Sequence, residues 1–348
     1  IEFEGDTATP TAEITTIKML WNSVVSTPGA KYITIDIKDM CLADNKIMDE
    51  FEYFQINSTL LPQQLLDEYD LHDFIDNKEM TCWEVRKPTH GLPQAGALAN
   101  KALAKHLINY GCYQTQYTNG LWKCKYNDIV FTLVVDDFGV KVNSEQETAH
   151  LINALQEKYT IDIDYTGSLH VGVNLQWDYK LRCMDYSMPN YIPNLLNRIG
   201  HKPKGKAQNA PFPCPRITCG KKTQLAITDQ TDLLDPTGVR AIQSINGALL
   251  YFGRMIEEIM LVATNDMSTQ QSQATENTKA KLEWLLDYCA TNPNPVKRTH
   301  ASDMQLWTSS DASHLSVSKA RSRVAGLHYL SDKPNDNVPL EEQTPPLN

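Results

Sequence analysis

The clearest pattern in the chain is a pair of short apolar runs on either side of two adjacent acidic residues. Residues 129–135 carry no charge and are rich in β-branched and aromatic types, which predicts a buried strand. Asp136 and Asp137 interrupt this run, and residues 138–142 resume a strand-like pattern. The sequence therefore predicts an antiparallel hairpin with the acidic pair at its turn.

A second strand pattern, in residues 31–38, carries a third aspartate 100 positions before Asp136. Alternation places Tyr32, Thr34 and Asp36 on one face of this strand and three isoleucines on the other. A carboxylate in a half-buried strand needs a partner. Asp36 is therefore a candidate functional residue.

Helical patterns, with apolar residues three or four positions apart, occur before, between and after these strands. They cover residues 11–21, a segment that follows a glycine-bounded loop (residues 91–96) and ends near Tyr110 before Gly111, and residues 239–250 and 276–288. We interpret the last two as helices that pack in a core rather than as direct nucleic-acid contacts. Strands and helices together predict an α+β fold.

Composition adds limits to this picture. A chain of 348 residues is expected to form two or three domains. No apolar run approaches the roughly 18 residues of a membrane span, so no membrane association is expected. Eight cysteines without a compact repeating pattern predict free thiols in a reducing compartment, and Cys214 and Cys219 are not expected to bind zinc.

The net charge of −10 argues superficially against nucleic-acid binding, but the charges are unevenly distributed. Residues 85–127 and 198–222 contain no acidic residue and several lysines and arginines. Basic surfaces of this kind suit phosphate backbones. In the second stretch Lys202, Lys204 and Lys206 are the candidate nucleic-acid contacts, although its prolines also suit a solvated linker, and both interpretations can hold.

The acidic pair has two interpretations. Aspartate is common in solvated turns, so Asp136 and Asp137 could be purely structural. Carboxylates held close together repel each other unless a cation neutralises them. Nucleotidyl transfer uses two Mg²⁺ ions in such a setting, and Mg²⁺ prefers oxygen ligands. With Asp36 as a third carboxylate, the catalytic interpretation is favoured.

Three motifs occur in a distinctive order. They are Asp36-Ile-Lys38-Asp39-Met-Cys41, Gly91-Leu-Pro-Gln94-Ala-Gly96 and Val134-Val-Asp136-Asp137. The set resembles the palm of reverse transcriptases from retrotransposon Pol polyproteins. Downstream, residues 169–177, with Gly172 and Trp177, are similar to the strand that grips the primer end in that family, and residues 242–251 and 285–288 resemble the connection of copia-type elements.

The resemblance implies a right-hand polymerase: an antiparallel palm sheet backed by helices, a helical thumb and connection, and a partial RNase H-like start. The domain limits it implies are residues 1–30 for a residual fingers segment with an N-terminal helix, 31–190 for the palm, 191–297 for the thumb and connection, 298–333 for the incomplete RNase H-like segment and 334–348 for a disordered tail. Few fingers strands are expected, because only about 30 residues precede the first catalytic strand.

The implied activity is RNA-directed and DNA-directed DNA synthesis, with an RNA template, a DNA primer, dNTPs and other parts of the Pol polyprotein as partners. Asp36 and Asp136 are expected to bridge two Mg²⁺ ions, which Mn²⁺ could replace, with Asp137 as a weaker ligand. The implied location is intracellular, in cytoplasmic element particles and in the nucleus. The alternatives are an inactive element remnant that only binds nucleic acid, and an RNA-templated RNA polymerase, which is disfavoured because Val135 stands where that class usually has glycine.

The resemblance also implies substrate contacts. Lys38 and Asp39 would bind the triphosphate, unless they are a solvated strand end. Gln94 and Gly96 would lie near the incoming nucleotide, although Gln94 could simply bond to backbone. Cys41 departs from the family, which usually has Tyr or Phe where a ribose 2′-hydroxyl would fit. We expect poor exclusion of ribonucleotides.

The final segment resembles the start of an RNase H domain, with Asp311 as its first metal-binding aspartate. RNA hydrolysis by two metals needs several carboxylates. The remaining ligands cannot be placed in the sequence that follows. No RNase H activity is therefore expected from this chain.

Overall fold

The computed structural model describes residues 7–43, 48, 51–89, 91–213, 229–317, 321–334 and 338. Its contacts divide the chain into two units, one with the residues up to Thr16 and Lys31–Thr166, the other with Ile17–Ala30 and the residues from Gly167 onwards. The break after Thr166 lies inside the predicted palm, and the predicted domain limits stay predictions. Most of the predicted tail, 334–348, lies outside the described residues.

Mixed helices and antiparallel sheets make up the chain, which confirms the α+β class. As far as Thr166 the elements are, in order, α1 (Ile14–Ser26), β1 (Lys31–Ile37), α2 (Met40–Ala43), β2 (Glu52–Asn57), α3 (Gln63–Glu68), β3 (Met80–Val85), α4 (Ala95–Asn109), β4 (Cys112–Gln114), β5 (Leu121–Cys124), β6 (Val130–Val134), β7 (Asp137–Val142), α5 (Glu145–Gln156) and β8 (Ile161–Asp164).

The first unit is built on a six-stranded antiparallel sheet with the order β4-β5-β6-β7-β1-β8. One face of the sheet is apolar: Ile33, Val140, Phe131 and Trp122 lie opposite one another across four strands. These side chains pack in one core with apolar residues of α4 and α5. The predicted alternation in β1 is confirmed, because its isoleucines are buried in this core whereas Asp36 is exposed.

A second hairpin, formed by β2 and β3, lies between the first and second motifs. It carries exposed aromatic side chains, among them Tyr53 and Phe54, and Phe54 stacks on Trp83 with ring centroids 6.4 Å apart. The sequence pattern does not predict these strands, because their residues lack clear alternation of polar and apolar types. The hairpin matters for the site because Glu52 begins β2.

The expectation that all cysteines are free is wrong for Cys112 and Cys124, which form a disulfide. They lie directly opposite each other in β4 and β5. Directly opposite residues hold their Cβ atoms close enough for the two sulfur atoms to bond. This pairing was not evident from the spacing of the two cysteines along the chain. Cys41, Cys82, Cys183 and Cys289 are free, whereas Cys214 and Cys219 lie outside the described residues. The location within the cell stays a prediction.

The second unit combines a four-stranded antiparallel sheet, with the order β12-β11-β10-β9, helices and a long hairpin. Its elements after Gly167 are β9 (Leu169–His170), β10 (Val173–Asp178), β11 (Cys183–Ser187), α6 (Tyr191–Ile199), α7 (Pro236–Met255), α8 (Leu261–Ser268), α9 (Glu276–Thr291), β12 (Val296–His300), β13 (Gln305–Val317) and β14 (Arg321–Ser331). The predicted helices 239–250 and 276–288 are confirmed as α7 and α9.

Both of these helices begin at capped residues. The Asp235 carboxylate accepts from the Gly238 backbone N–H at 2.8 Å, and Thr275 and Thr278 form a capping box. Such caps satisfy backbone donors that the first helical turn leaves free. Within the described part of the chain, every helix is too short or too polar to cross a membrane.

The hairpin of β13 and β14 is tied to the helices by a buried charge. Asp266, on α8, pairs with Lys281 of α9 at 2.8 Å and with Arg323 of β14. These partners lower the pKa of Asp266, against the effect of its burial. Removing one partner of a buried carboxylate is strongly destabilising, because it leaves an uncompensated charge. This cluster therefore holds the hairpin in place.

Candidate active site

Three aspartates form a row across β7, β1 and β8, the last three strands at one side of the first sheet. Asp36 in β1 lies directly opposite Asp137 in β7 on one side and directly opposite Asp162 in β8 on the other. Directly opposite residues project from the same face of a sheet, with Cβ atoms about 5 Å apart. The neighbouring Ile35 and Ile37 are buried in the core, so the carboxylates project from the other face.

Asp136 lies in the turn that joins β6 to β7. Val134 pairs with Asp137, which leaves Val135 and Asp136 as the two turn residues. Val135 has a φ of +59°, in the left-handed region where a β-branched residue is a genuine outlier. The Asp136 carbonyl accepts from the Ile37 backbone N–H at 3.2 Å, and this bond holds the turn against β1.

Replacing Val135 by glycine is expected to raise the free energy of unfolding by about 1 kcal/mol, because glycine adopts a positive φ without strain. Urea unfolding of the two proteins measures this difference. Val130→Gly, in the regular part of the same hairpin, is the control and should lower stability. A Val135→Gly protein no more stable than the wild type would show that the turn stores no strain.

The carboxylates affect one another's protonation. Burial, together with Asp136 and Asp36, raises the pKa of Asp137 to about 6. Reduced hydration, then Asp136 and Asp162, also raises the pKa of Asp36 above its ordinary value, although Lys38 opposes this effect. A divalent cation would relieve this repulsion, and carboxylate oxygens are the ligands that Mg²⁺ prefers.

These donors fit Mg²⁺ in chemical type and charge. Within the described ranges, however, no group of three or more His, Cys, Asp and Glu side chains stands close enough to hold a metal ion as arranged. Ligation by Asp36, Asp136 and Asp137 together would therefore require their side chains to turn towards a shared ion.

A cavity of about 210 Å³ is lined by residues of all three sequence motifs, and Asp136 is one of them. Its walls include Asp39 and Cys41 from the first motif, Gly91 and Gly96 from the second and Asp136 from the third. Gly96 allows a close approach, since a Cβ there would lie 2.9 Å from the Thr9 hydroxyl. Segments up to 100 residues apart in sequence thus meet at one cavity.

The cavity also lies at the start of α4, since Ala95 and Gly96 both line it and Ala95 is the first residue of this helix. The first turn of α4 contains no acidic residue. Free backbone N–H groups and the helix dipole make such an end favourable for negative charge.

The predicted substrate-binding residues have different surroundings. Lys38 forms an ion pair with Asp162, with 2.9 Å between Nζ and Oδ2. Cys41 is buried, and burial together with Asp136 raises the pKa of its thiol. Gln94 is only 5% exposed and donates from Nε2 to Glu52 Oε1 at 3.2 Å. Asp39 is exposed, with a φ of +48°.

The predicted nucleic-acid contacts belong to the second unit. Val171 and Gly172 form a two-residue turn between β9 and β10, and Gly172 has a φ of +76°. Trp177 donates from Nε1 to the Gly167 carbonyl at 2.9 Å and stacks on Tyr179. The remaining candidates are Lys202 and Lys206, which are exposed, and Lys204, which pairs with Glu283 at 3.0 Å.

Asp311 lies on β13, opposite Ala325 of β14, and its side chain is exposed. Its Oδ1 accepts from the Ala312 backbone N–H at 2.8 Å. A role for Asp311 in binding metal stays a prediction.

Two residues of the site were missed in the sequence analysis. Asp162 lies in Ile161-Asp-Ile-Asp164, whose alternation could have indicated a strand with outward carboxylates. Glu52 had no usable signal, because it contacts Gln94 across 42 positions of sequence. Compared with known proteins, the chain matches no protein-family model and no curated protein.

Proposed function

We propose that the chain is an RNA-directed and DNA-directed DNA polymerase of a retrotransposon, which extends a primer by two-metal nucleotidyl transfer. The observation that carries the proposal is the cavity lined by residues of all three motifs, including Asp136, which directly precedes Asp137 of the row of aspartates. The strained turn at Val135 adds support, because strain of this kind is concentrated at functional sites.

The carboxylates would divide the metal-binding work. Asp36 and Asp136 are the proposed ligands of two Mg²⁺ ions, with Asp137 as the weaker third. When bound, such ions activate the primer 3′-hydroxyl and neutralise the leaving pyrophosphate. The protein contributes position and charge: β1 and β7 hold Asp36 and Asp137 opposite each other, and the turn presents Asp136 to the cavity.

Other residues would bind the nucleotide. Lys38 carries a positive charge for the triphosphate, and its hydrogen bond with Asp162 raises its pKa. The N-terminal end of α4 supplies further favourable electrostatics to phosphate oxygens. The small residues Gly91 and Gly96 leave room for a ligand in the cavity wall.

The proposal is tested by extension of an oligo(dT) primer on poly(rA) and on poly(dA), with and without Mg²⁺. Mg²⁺-dependent incorporation of TTP on both templates is the expected result. Salt-sensitive duplex binding without incorporation would instead support an inactive remnant that only binds nucleic acid. Incorporation of UTP on an RNA primer, with none of TTP on the DNA primer, would support an RNA-templated RNA polymerase.

Replacing Cys41 by tyrosine is expected to raise the preference for TTP over UTP by about tenfold. The reason is that a large ring would fill the part of the cavity that Cys41 leaves open. The ratio of kcat/KM values for the two nucleotides measures this preference. Cys82→Tyr, at an exposed position on β3, is the matched control. Equal ratios in wild type and Cys41→Tyr would exclude a role for Cys41 in sugar selection.

A further inference from the structure

The Gln94 side chain is buried, and only one of the two polar groups of its amide forms a hydrogen bond. Its Nε2 donates to Glu52 Oε1 at 3.2 Å. Its Oε1 has no hydrogen-bond partner among the described residues, although the side chain is only 5% exposed. A buried acceptor without a donor is costly and rare in folded proteins, so the amide oxygen is available to a donor from outside the described residues.

The orientation of this amide is set by Glu52. A carboxylate only accepts hydrogen bonds, so Gln94 must turn its NH₂ group towards Glu52 and its oxygen away. The reverse orientation would place two acceptors against each other. Glu52 is itself held in place, because it is the first residue of β2 and pairs with Val85 of β3.

The location of Gln94 indicates the kind of donor. It lies between Leu92 and Ala95, which both line the cavity beside Asp136. Its backbone is fixed as well, because its carbonyl accepts from the Leu98 N–H at 3.0 Å in the first turn of α4. Only the side chain is therefore left to be oriented, and Glu52 is the residue that orients it.

We propose that Glu52 is a positioning residue, whose carboxylate fixes the Gln94 amide so that Oε1 accepts a hydrogen bond from an O–H group of the nucleotide in the cavity. This inference rests on the proposed nucleotide-binding function of the same site. Without Glu52 the amide could rotate and present its NH₂ group instead. Nucleotide binding would then weaken, whereas the metal-binding carboxylates would be unaffected.

The first test separates binding from chemistry. Glu52→Leu should raise the KM for TTP about five- to tenfold in primer extension and change kcat less than about twofold, the effect of losing about one hydrogen bond. Glu52→Gln, whose amide oxygen can accept the same bond, should retain a KM close to that of the wild type. Glu84→Leu, the same change on the exposed side of this hairpin, should have no effect.

A second comparison tests whether Glu52 acts through Gln94. Glu52→Leu/Gln94→Leu should have the KM of Gln94→Leu alone, because the orientation of an absent amide cannot matter. Additive effects of the two changes, an unchanged KM in Glu52→Leu, or an equal effect of Glu84→Leu would each overturn the inference.

The donor is identified with ddTTP, which lacks the sugar 3′-hydroxyl. If Glu52→Leu raises the KM for TTP and leaves the KM for ddTTP unchanged, the donor is the sugar 3′-hydroxyl. If both KM values rise equally, the sugar hydroxyl is not the donor. Because the only other donor of TTP, the base N3–H, is paired with the template adenine, that result would overturn the inference.

The inference is also testable if the wild-type chain incorporates no nucleotide. That result would remove the proposed polymerase function. The rise in thermal unfolding temperature with TTP and Mg²⁺ then decides the role of Glu52. A smaller rise in Glu52→Leu than in wild type and Glu84→Leu supports it, whereas equal rises, or no rise in wild type, overturn it.

Discussion

Asp136→Asn is expected to reduce Mg²⁺-dependent primer extension on the order of 10³-fold. Asp136 lines the cavity and belongs to the strained turn between β6 and β7. Asparagine keeps the size of the side chain but removes the charge that a divalent cation needs. The fold should survive, because the side chain is partly exposed and Val134 and Asp137 still close the turn.

The matched control for this loss is Asp128→Asn. Asp128 is exposed and lies just before β6, at the end of this strand that is distant from the turn. Its replacement should leave extension within about twofold of the wild type. The circular dichroism spectra of both variants should match that of the wild type. Their free energies of unfolding in urea should lie within about 1 kcal/mol of the wild-type value. Full activity in Asp136→Asn would exclude this carboxylate as a metal ligand and remove the proposed mechanism.

Asp137→Asn is expected to stabilise the protein at pH 7.5 while it lowers primer extension. In the folded protein, burial and the carboxylates of Asp136 and Asp36 raise the pKa of Asp137 to about 6. The folded state therefore disfavours the charged form, and stability is lost as the pH rises from about 4, the unfolded value, through about 6. Asparagine carries no such charge, so it avoids this loss.

The size of the gain follows from the difference between the two pKa values. It corresponds to at most about 3 kcal/mol at pH 7.5. The side chain is partly exposed to water, which reduces the expected gain to about 1–2 kcal/mol. At pH 4 the wild-type carboxylate is protonated in the folded state and about half protonated in the unfolded state, so the gain should fall to a few tenths of a kcal/mol.

Urea unfolding in EDTA at pH 7.5 and at pH 4 measures these differences. Asp128→Asn serves again as the control and should show no gain at either pH. Mg²⁺ should stabilise the wild type more than Asp137→Asn, because the ion compensates the repulsion that the variant already lacks. A variant less stable than the wild type at pH 7.5 would show that Asp137 is a structural residue rather than a strained ligand.

Asp137 illustrates why the carboxylates proposed for catalysis are costly to a fold. Three aspartates in register across adjacent strands repel one another. A sequence selected for stability alone would place opposite charges or β-branched residues there. The row is therefore better explained by a ligand than by packing.

Several helices and strands of both units could be predicted from local patterns. Apolar alternation predicted β1, and the uncharged run predicted β6, although the strand ends at Val134 and Val135 belongs to the turn. Helix periodicity predicted α4, α7 and α9. These elements are encoded by residues within a few positions of each other, since side chains in a strand or helix repeat every 2 or 3.6 positions.

Contacts between distant segments were not predictable in the same way. The Cys112–Cys124 disulfide, the pairing of Asp36 with Asp162, and the bond from Gln94 to Glu52 each depend on which strands meet and in which register. A shift of one residue in register would turn these side chains to the opposite face. No local pattern contains that information.

The sequence by itself determined the strand and helix periodicities, the acidic turn and the order of the three motifs. The tertiary structure alone decided that those motifs share one cavity, that Asp162 completes a row of carboxylates, and that Glu52 accepts a hydrogen bond from Gln94. The physical reason is that periodicity arises from short-range backbone geometry, whereas strand partners and register are set by burial of the whole apolar face against α4 and α5.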